Sequence, residues 1–390
     1  MQPIVYLNQA KQNAIRRGHP WIFPKAIARQ TGHLVTGELV DIMTSNGELL
    51  GVGAYNEHSL YRVRVLAYSM EAIDMTSIAG LVHHRLQQAL RLRECVNLPN
   101  NLTTAYRLFN SEGDGLSGLT IDRFNQVCVV ASTAYWVEKN KAVICQCIRD
   151  IMPNNSIIWL AQSKPLAQDG WQATIEQPDN RTEEVLEAGV RYQVDFSNIQ
   201  KTGLFLDQRE NHQRIAALAR GKRVLDLYTY TGGFALHAAI AGATEVTAVD
   251  SSAQAILLAR QNALLNNIDM INFTEADARD FLVKAGDYDI VVLDPPKLVP
   301  SIRHLDRAKN YYRFLHREVF KHMHPGSLLM TCNCSSALNA QDFSELVSAQ
   351  AIAVGKMVRL LGVFGPASCH PMLSAFPEGQ YLTAVLLAVV

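Results

Sequence analysis

Cys332 and Cys334 stand two residues apart in TCNCS (331–335), after the apolar run LLM and before a serine pair. A thiolate serves as nucleophile or metal ligand, and either use demands partial ionisation and access. Zinc would need further Cys or His ligands, and those available, such as Cys369 and His370, are distant in the chain. No metal is therefore expected. Carboxylates recur in a second pattern: Asp226 closes KRVLDLY, Asp250 closes TEVTAVD, Asp277 lies in EADARDF and Asp294 in LDPPK. Any one of them could do no more than cap a following helix. At successive strand ends they suit a ligand rich in hydroxyls, the second accepting from a ribose. Gly232 and Gly233 in TYTGGF let the backbone approach a ligand where a Cβ would intrude. A dinucleotide enzyme would show GxGxxG there, so another adenosine-containing cofactor is favoured over NAD.

The elements that must position these groups are legible as periodicity. From residue 222 the pattern runs strand, glycine turn, helix, and repeats through ALHAAIAG, TEVTAVD, SAQAILLARQNALLNN, DYDIVVLDPP, RFLHREVFKHM and SLLMTC. Such alternation specifies a parallel α/β sheet covered on both faces. VRLLGVF and YLTAVLLAV have no long helix between them, which predicts a terminal antiparallel pair. The first 70 residues alternate short apolar runs with Gly and Asn turns, as a small all-β module does. That module carries seven basic residues against four acidic ones. Between them, IAGLVHHRLQQALRLRECV and WVEKNKAVICQCIRDIM read as helices, the second with Cys145 and Cys147 as packing residues.

The chain has 390 residues, 48% of them hydrophobic, ample for two or three domains. Lys+Arg and Asp+Glu both total 36, so any affinity for a polyanion must be local. Seven scattered cysteines argue for a reducing compartment. With no apolar leader and a longest apolar stretch of nine residues, a cytoplasmic protein with no membrane partner is expected.

DLYTYTGGFALHAA, AVDSS, EADARDF and LDPPK resemble the successive motifs of class I S-adenosylmethionine (SAM) methyltransferases. NSEGDGLSGLTIDRF (110–124), FSNIQKTGLFLDQRENH (196–212) and SCHPMLSAFPEGQYL (368–382) extend the resemblance to bacterial 23S rRNA cytosine-C5 methyltransferases of the RlmI type, and RRGHPWIFPKAI (16–27) to the start of their PUA module. The resemblance implies an N-terminal β-barrel PUA domain (1–70), a small central α/β domain (71–190) and a Rossmann-like catalytic domain (191–390). It implies SAM as cofactor, held by Asp226, Tyr228, Thr229, Gly232, Gly233, Phe234, Asp250, Ser251, Asp277, Ala278, Asp294 and Pro295, with Gln208 and Arg209 nearby. The implied partner is 23S ribosomal RNA, gripped by Arg16, Arg17, Lys25, Lys297, Arg303 and Arg307, with homodimerisation left open.

Cytosine C5 is a poor nucleophile, and a thiolate adding at C6 turns the ring into an enamine able to attack a sulfonium methyl. In the family the attacking cysteine precedes a serine after the fifth strand, which points to Cys334, with Cys332 two residues upstream and able to face the same side if extended. Asp294 is the natural partner for N3 of the base. Many RNA cytosine-C5 methyltransferases place another cysteine after the DPP-type loop, where this chain has Lys297. A same-fold enzyme acting on guanine N2 or N7 would need no thiol, and a non-enzymatic PUA-type RNA-binding protein would need no cofactor.

Overall fold

The computed structural model describes residues 2–174, 180–197, 204–298 and 304–390. The chain divides into two compact units, the first comprising Met1–Asn100, Thr104–Asp179 and Cys369–Gly379, the second Asn101–Thr103, Asn180–Ser368 and Gln380–Val390.

The first unit holds two sheets. Strands β1 (Ile4–Leu7), β2 (Trp21–Ile22), β3 (Ile27–Thr31), β4 (Leu39–Met43), β5 (Leu49–Tyr55) and β6 (Val63–Tyr68) form one in the order 2-6-5-4-1-3, with α1 (Gln9–Arg16) between the first two. Val5, Leu7, Val40, Ile42, Val63 and Val65 alternate inward along their strands to make its core, as period-two patterning requires. The other sheet joins β7 (Ala105–Asn110), β8 (Leu119–Phe124), β9 (Val127–Ser132) and β10 (Ser156–Ala161) in sequential order. Helix α2 (Ile78–Cys95) opens this part, capped by the Ser77 hydroxyl, which accepts from Gly80 N. The expected second helix is divided at Asn140 into α3 (Tyr135–Lys139) and α4 (Lys141–Ile151). Asn140 Nδ2 donates to the Trp136 carbonyl at 2.7 Å, a local bond that competes with helix continuation. Cys145 and Cys147 are both buried in α4. A short α5 (Ser163–Gln168) follows.

NSEGDGLSG knots the first unit together. Arg93, 1% exposed, makes a two-pronged ion pair with Asp114 (2.6 and 2.7 Å) and also donates to the Cys369 carbonyl. Trp21 Nε1 reaches Glu112 and Ser117, while its ring packs edge-on against Phe376 at 4.5 Å.

The second unit starts with the hairpin β11 (Thr182–Glu187) and β12 (Val190–Asp195), turned at Ala188 and Gly189, both at positive φ. Its seven-stranded sheet contains β13 (Arg223–Leu227), β14 (Glu245–Asp250), β15 (Ile271–Glu275), β16 (Ile290–Leu293), β17 (Leu328–Asn333), β18 (Val358–Phe364) and β19 (Thr383–Val389) in the order 15-14-13-16-17-19-18. All pairs are parallel except those of β19, so the last two strands form the expected antiparallel ending. Helices α6 (Arg209–Ala219), α7 (Gly233–Ile240), α8 (Ala253–Leu265), α9 (Ala278–Phe281), α10 (Leu305–His322) and α11 (Ala340–Ala353) intervene. Leu225, Leu227, Val291, Leu293, Tyr312, Phe320, Leu329 and Phe343 are fully buried together on one face. Order reverses between β13 and β16, so the carboxyl ends around that point open into the crevice where α/β sheets bind ligands.

Candidate active site

Every expected strand-end carboxylate is at that edge, but they differ in surroundings. Asp226 is completely buried and accepts from Thr229 Oγ1 (2.5 Å) and Ala235 N (3.1 Å). Its other oxygen has no hydrogen-bond partner among the described residues, and burial pushes the carboxyl up to about 6. Asp250 accepts from the backbone N–H groups of Tyr230 and Ser252, and Ser251 beside it is exposed. Asp277 caps α9 through Arg279 N and pairs with the Arg279 guanidinium, which lowers its pKa; Ala278 is buried behind it. Here the helix-capping use of a strand-end carboxylate and an exposed edge coexist.

The turn after β13 is tightly wound. Tyr228, Tyr230 and Gly232 all have positive φ, and only the last is a residue that adopts this readily. Gly233 is close-packed: an added Cβ would meet His212 Nε2 at 2.5 Å. Phe234 is buried with its ring edge-on to His212. An orphaned buried oxygen on Asp226 and a glycine cradle with no room for side chains are what a hydroxyl- and amine-bearing cofactor lying against this turn would use.

Asp294 follows β16. Gln208 Nε2 donates to it at 2.9 Å, yet burial and the nearby charges of Asp207 and Asp226 push it up to about 7. Pro295 is buried and Lys297 exposed. Cys334 lies one residue beyond β17 and is partly exposed. Burial and the charges of Asp294 and Asp207 push its thiol up to about 11, against a downward pull from Lys297. Cys332 does not share that access. It lies within β17 opposite Ala384, fully buried, with its thiol raised far by burial. Both sulfurs feel the charges of Asp294 and Asp207, and Gln208 bonds the Cys332 thiol, so the two differ in burial and not in the side they face.

Some groups near the thiols were not evident from sequence. Asn333 Nδ2 holds the carbonyls of Ser335 and Leu338, and Tyr312 Oη donates to Asn333 Oδ1 at 3.2 Å, so the loop carrying Cys334 is braced from α10. Asp207 accepts from Tyr381 Oη at 2.8 Å. Asparagine inside TCNCS was the one local signal for this bracing.

Beside this edge is a cavity of about 700 Å³ lined by Tyr228, Pro296, Lys297, Arg307, Tyr311 and Phe314. Lys297 and Arg307 thus come together, whereas Arg303 lies outside the described residues. Arg209 is buried at the start of α6, near Glu210 and Ser368. Arg16, Arg17 and Lys25 belong to the first unit, all exposed, and Arg16 is engaged with Glu48 at 2.5 Å.

A switch-point crevice with buried and half-buried acids at four successive strand ends defines an α/β transferase of the SAM-dependent class. The comparisons agree: residues 164–362 match the family model of S-adenosylmethionine-dependent methyltransferases, and residues 5–68 match that of PUA-like domains. Over the whole chain, 35% identity over 399 residues relates it to ribosomal RNA large subunit methyltransferase I of Aeromonas hydrophila, covering 99% of both chains. The Alteromonas mediterranea protein of that name is 32% identical, over 100% of this chain and 99% of its own. The chain belongs to the ribosomal RNA large subunit methyltransferase I family. Its fold is that of a Streptococcus mutans protein assigned as a SAM-dependent methyltransferase (TM-score 0.81, 21% identity) and of a second chain, assigned as a methyltransferase and solved with SAH (TM-score 0.83, 20% identity), each covered completely in both directions. No described helix is long and apolar enough to cross a membrane.

Proposed function

We propose that this protein methylates C5 of a cytosine in large-subunit ribosomal RNA, with Cys334 as the attacking thiol and Asp294 as its proton partner. The observation that carries the reading is the pair itself: a partly exposed thiol and a carboxyl poised near pH 7, charge-coupled at the ends of adjacent strands β16 and β17. The names of the relatives and the PUA-like match favour ribosomal RNA as substrate. Bound SAM supplies an electrophilic sulfonium methyl, and Asp226, Asp250 and the Gly232–Gly233 turn are the groups to hold it.

Ionised Asp294 takes the thiol proton and, as the acid, passes it to N3 of the base while sulfur bonds to C6. The C5–C6 pair shifts to C4–C5 as the C4–N3 pair takes the proton, which makes C5 the nucleophilic carbon of an enamine. Lys297 steadies the thiolate, in keeping with its downward pull on Cys334. Tyr228, Tyr311 and Phe314 offer flat faces for a base splayed out of structured RNA, and Arg307 offers a positive charge to a phosphate. After the methyl group has passed to C5, with S-adenosylhomocysteine as the leaving group, loss of the C5 proton to a base restores the C5–C6 double bond and expels the thiolate, and the N3 proton returns to the sulfur through Asp294.

The test uses RNA with 5-fluorocytidine at the target, which cannot lose a C5 proton and so stays attached. The parent and Cys332→Ala form a denaturation-resistant protein–RNA adduct; Cys334→Ala forms none and loses transfer by roughly 10³-fold or more, as removal of an enzyme nucleophile does. Full transfer by both variants would sink the covalent reading and favour the thiol-independent guanine alternative.

A further inference from the structure

Among the described residues, four buried polar side-chain atoms without a hydrogen-bond partner gather in one region of the second unit: Glu187 Oε2, His237 Nε2, Tyr192 Oη and one oxygen of Asp226. The first three surround a cluster that the proposed chemistry does not use. Glu187 ends β11 and is completely buried. Its Oε1 lies 2.7 Å from His212 Nδ1 on α6 and 3.3 Å from His237 Nε2 on α7, the latter without hydrogen-bond alignment. One atom from each residue falls within 4.8 Å of the other two. Tyr192, fully buried on β12, presents its hydroxyl near enough to feel the Glu187 charge.

Such a cluster is costly as it stands. A buried carboxylate requires a compensating charge, and an unpaired buried imidazole nitrogen and phenol each forgo a bond they had in water. Two imidazoles and one carboxylate, all buried and converging, are a donor set that zinc-class ions take, with the fourth position open to a water or to Tyr192.

We propose that Glu187, His212 and His237 bind one zinc-class divalent ion, through the carboxylate, Nδ1 and Nε2 respectively. Bonds of about 2.0–2.1 Å would set the donors roughly 3.3 Å apart, so the ion replaces the short Glu187–His212 hydrogen bond and widens that pair slightly. It would tie the β11–β12 hairpin to α6 and α7. Because His212 Nε2 abuts Gly233, the same ion would fix the turn beneath the cofactor without entering the chemistry. The inference does not depend on the substrate or on Cys334.

The experiment is metal analysis and cobalt loading of the tag-free full chain after chelation. The expected result is one equivalent of Co²⁺ with the visible bands of a four-coordinate site. Affinity should fall in His237→Ser and Glu187→Gln by at least the roughly 10–100-fold that even outer partners of a metal contribute. In the unmutated chain, long-range proton–nitrogen spectra on adding zinc should shift two of its twelve histidines, one at Nδ1 and one at Nε2. A chelated chain that still binds SAM but takes up no cobalt overturns the proposal and leaves a proton-shared ion pair; metal uptake unchanged in both variants, or shifts at other histidines, overturns it equally.

Discussion

Asp294 shows how one residue's surroundings bear on stability and on the proposed chemistry together. Its folded pKa, pushed up to about 7, exceeds the unfolded value, so the folded chain binds that proton more tightly. Stability linked to the group is present at acid pH and is lost as pH rises from the unfolded carboxylate range toward 7. Asp294→Asn should therefore melt higher than the parent at pH 8, with a smaller difference at pH 5, while methyl transfer collapses. Thermal unfolding at the two pH values checks the first half. Parent single-turnover rates should rise through about pH 7 as the carboxylate forms, and an unchanged profile in the Asn variant would remove Asp294 from the proton path. The two cysteines illustrate the opposite case: identical residue types, two apart, separated in access by burial alone.

At the scale of elements, the strand-end loops gather the site because a parallel sheet places every carboxyl end on one edge. Supports for those loops come from elsewhere: Tyr312 on α10 reaches Asn333, and His316, one turn on, meets Thr331 at 2.8 Å. The first unit depends on a different buried device. Asp114→Ala would leave Arg93 charged and buried on α2 without its carboxylate partner, which should cost about 3–5 kcal/mol. Urea unfolding followed by fluorescence of the tryptophans, Trp21 and Trp136 being in this unit, would register that loss. A change below about 1 kcal/mol, as for an exposed pair, would contradict a buried role.

For the molecule as a whole, the balanced charge gives no global pull toward RNA, so any grip must come from local groups such as Arg17 and Lys25. Both are exposed in the PUA-like unit. If they neutralise phosphates, replacing them together by Glu should raise KM for RNA and flatten the log–log salt dependence of binding by about one unit of slope for each phosphate left unneutralised, with SAM affinity unchanged. Binding measured over a salt series decides this; an identical slope would assign the RNA grip to other residues.

Much of this was set by sequence alone. Strand–turn–helix alternation, the four strand-end carboxylates, the glycine turn and the Cys334–Ser335 pair are properties of contiguous residues, and contiguous residues in a parallel sheet reach the same edge whatever the packing. Tertiary structure decided the rest. It buried Cys332 and left Cys334 partly exposed, put residues 369–379 with the first unit through Arg93 and Trp21, joined Asp207 to Tyr381, and closed Glu187, His212 and His237 around one point. Those partners lie on separate elements, some at great distance along the chain. No local periodicity records which buried donor meets which acceptor; that is settled only when the layers pack and each enclosed polar group has to find a partner.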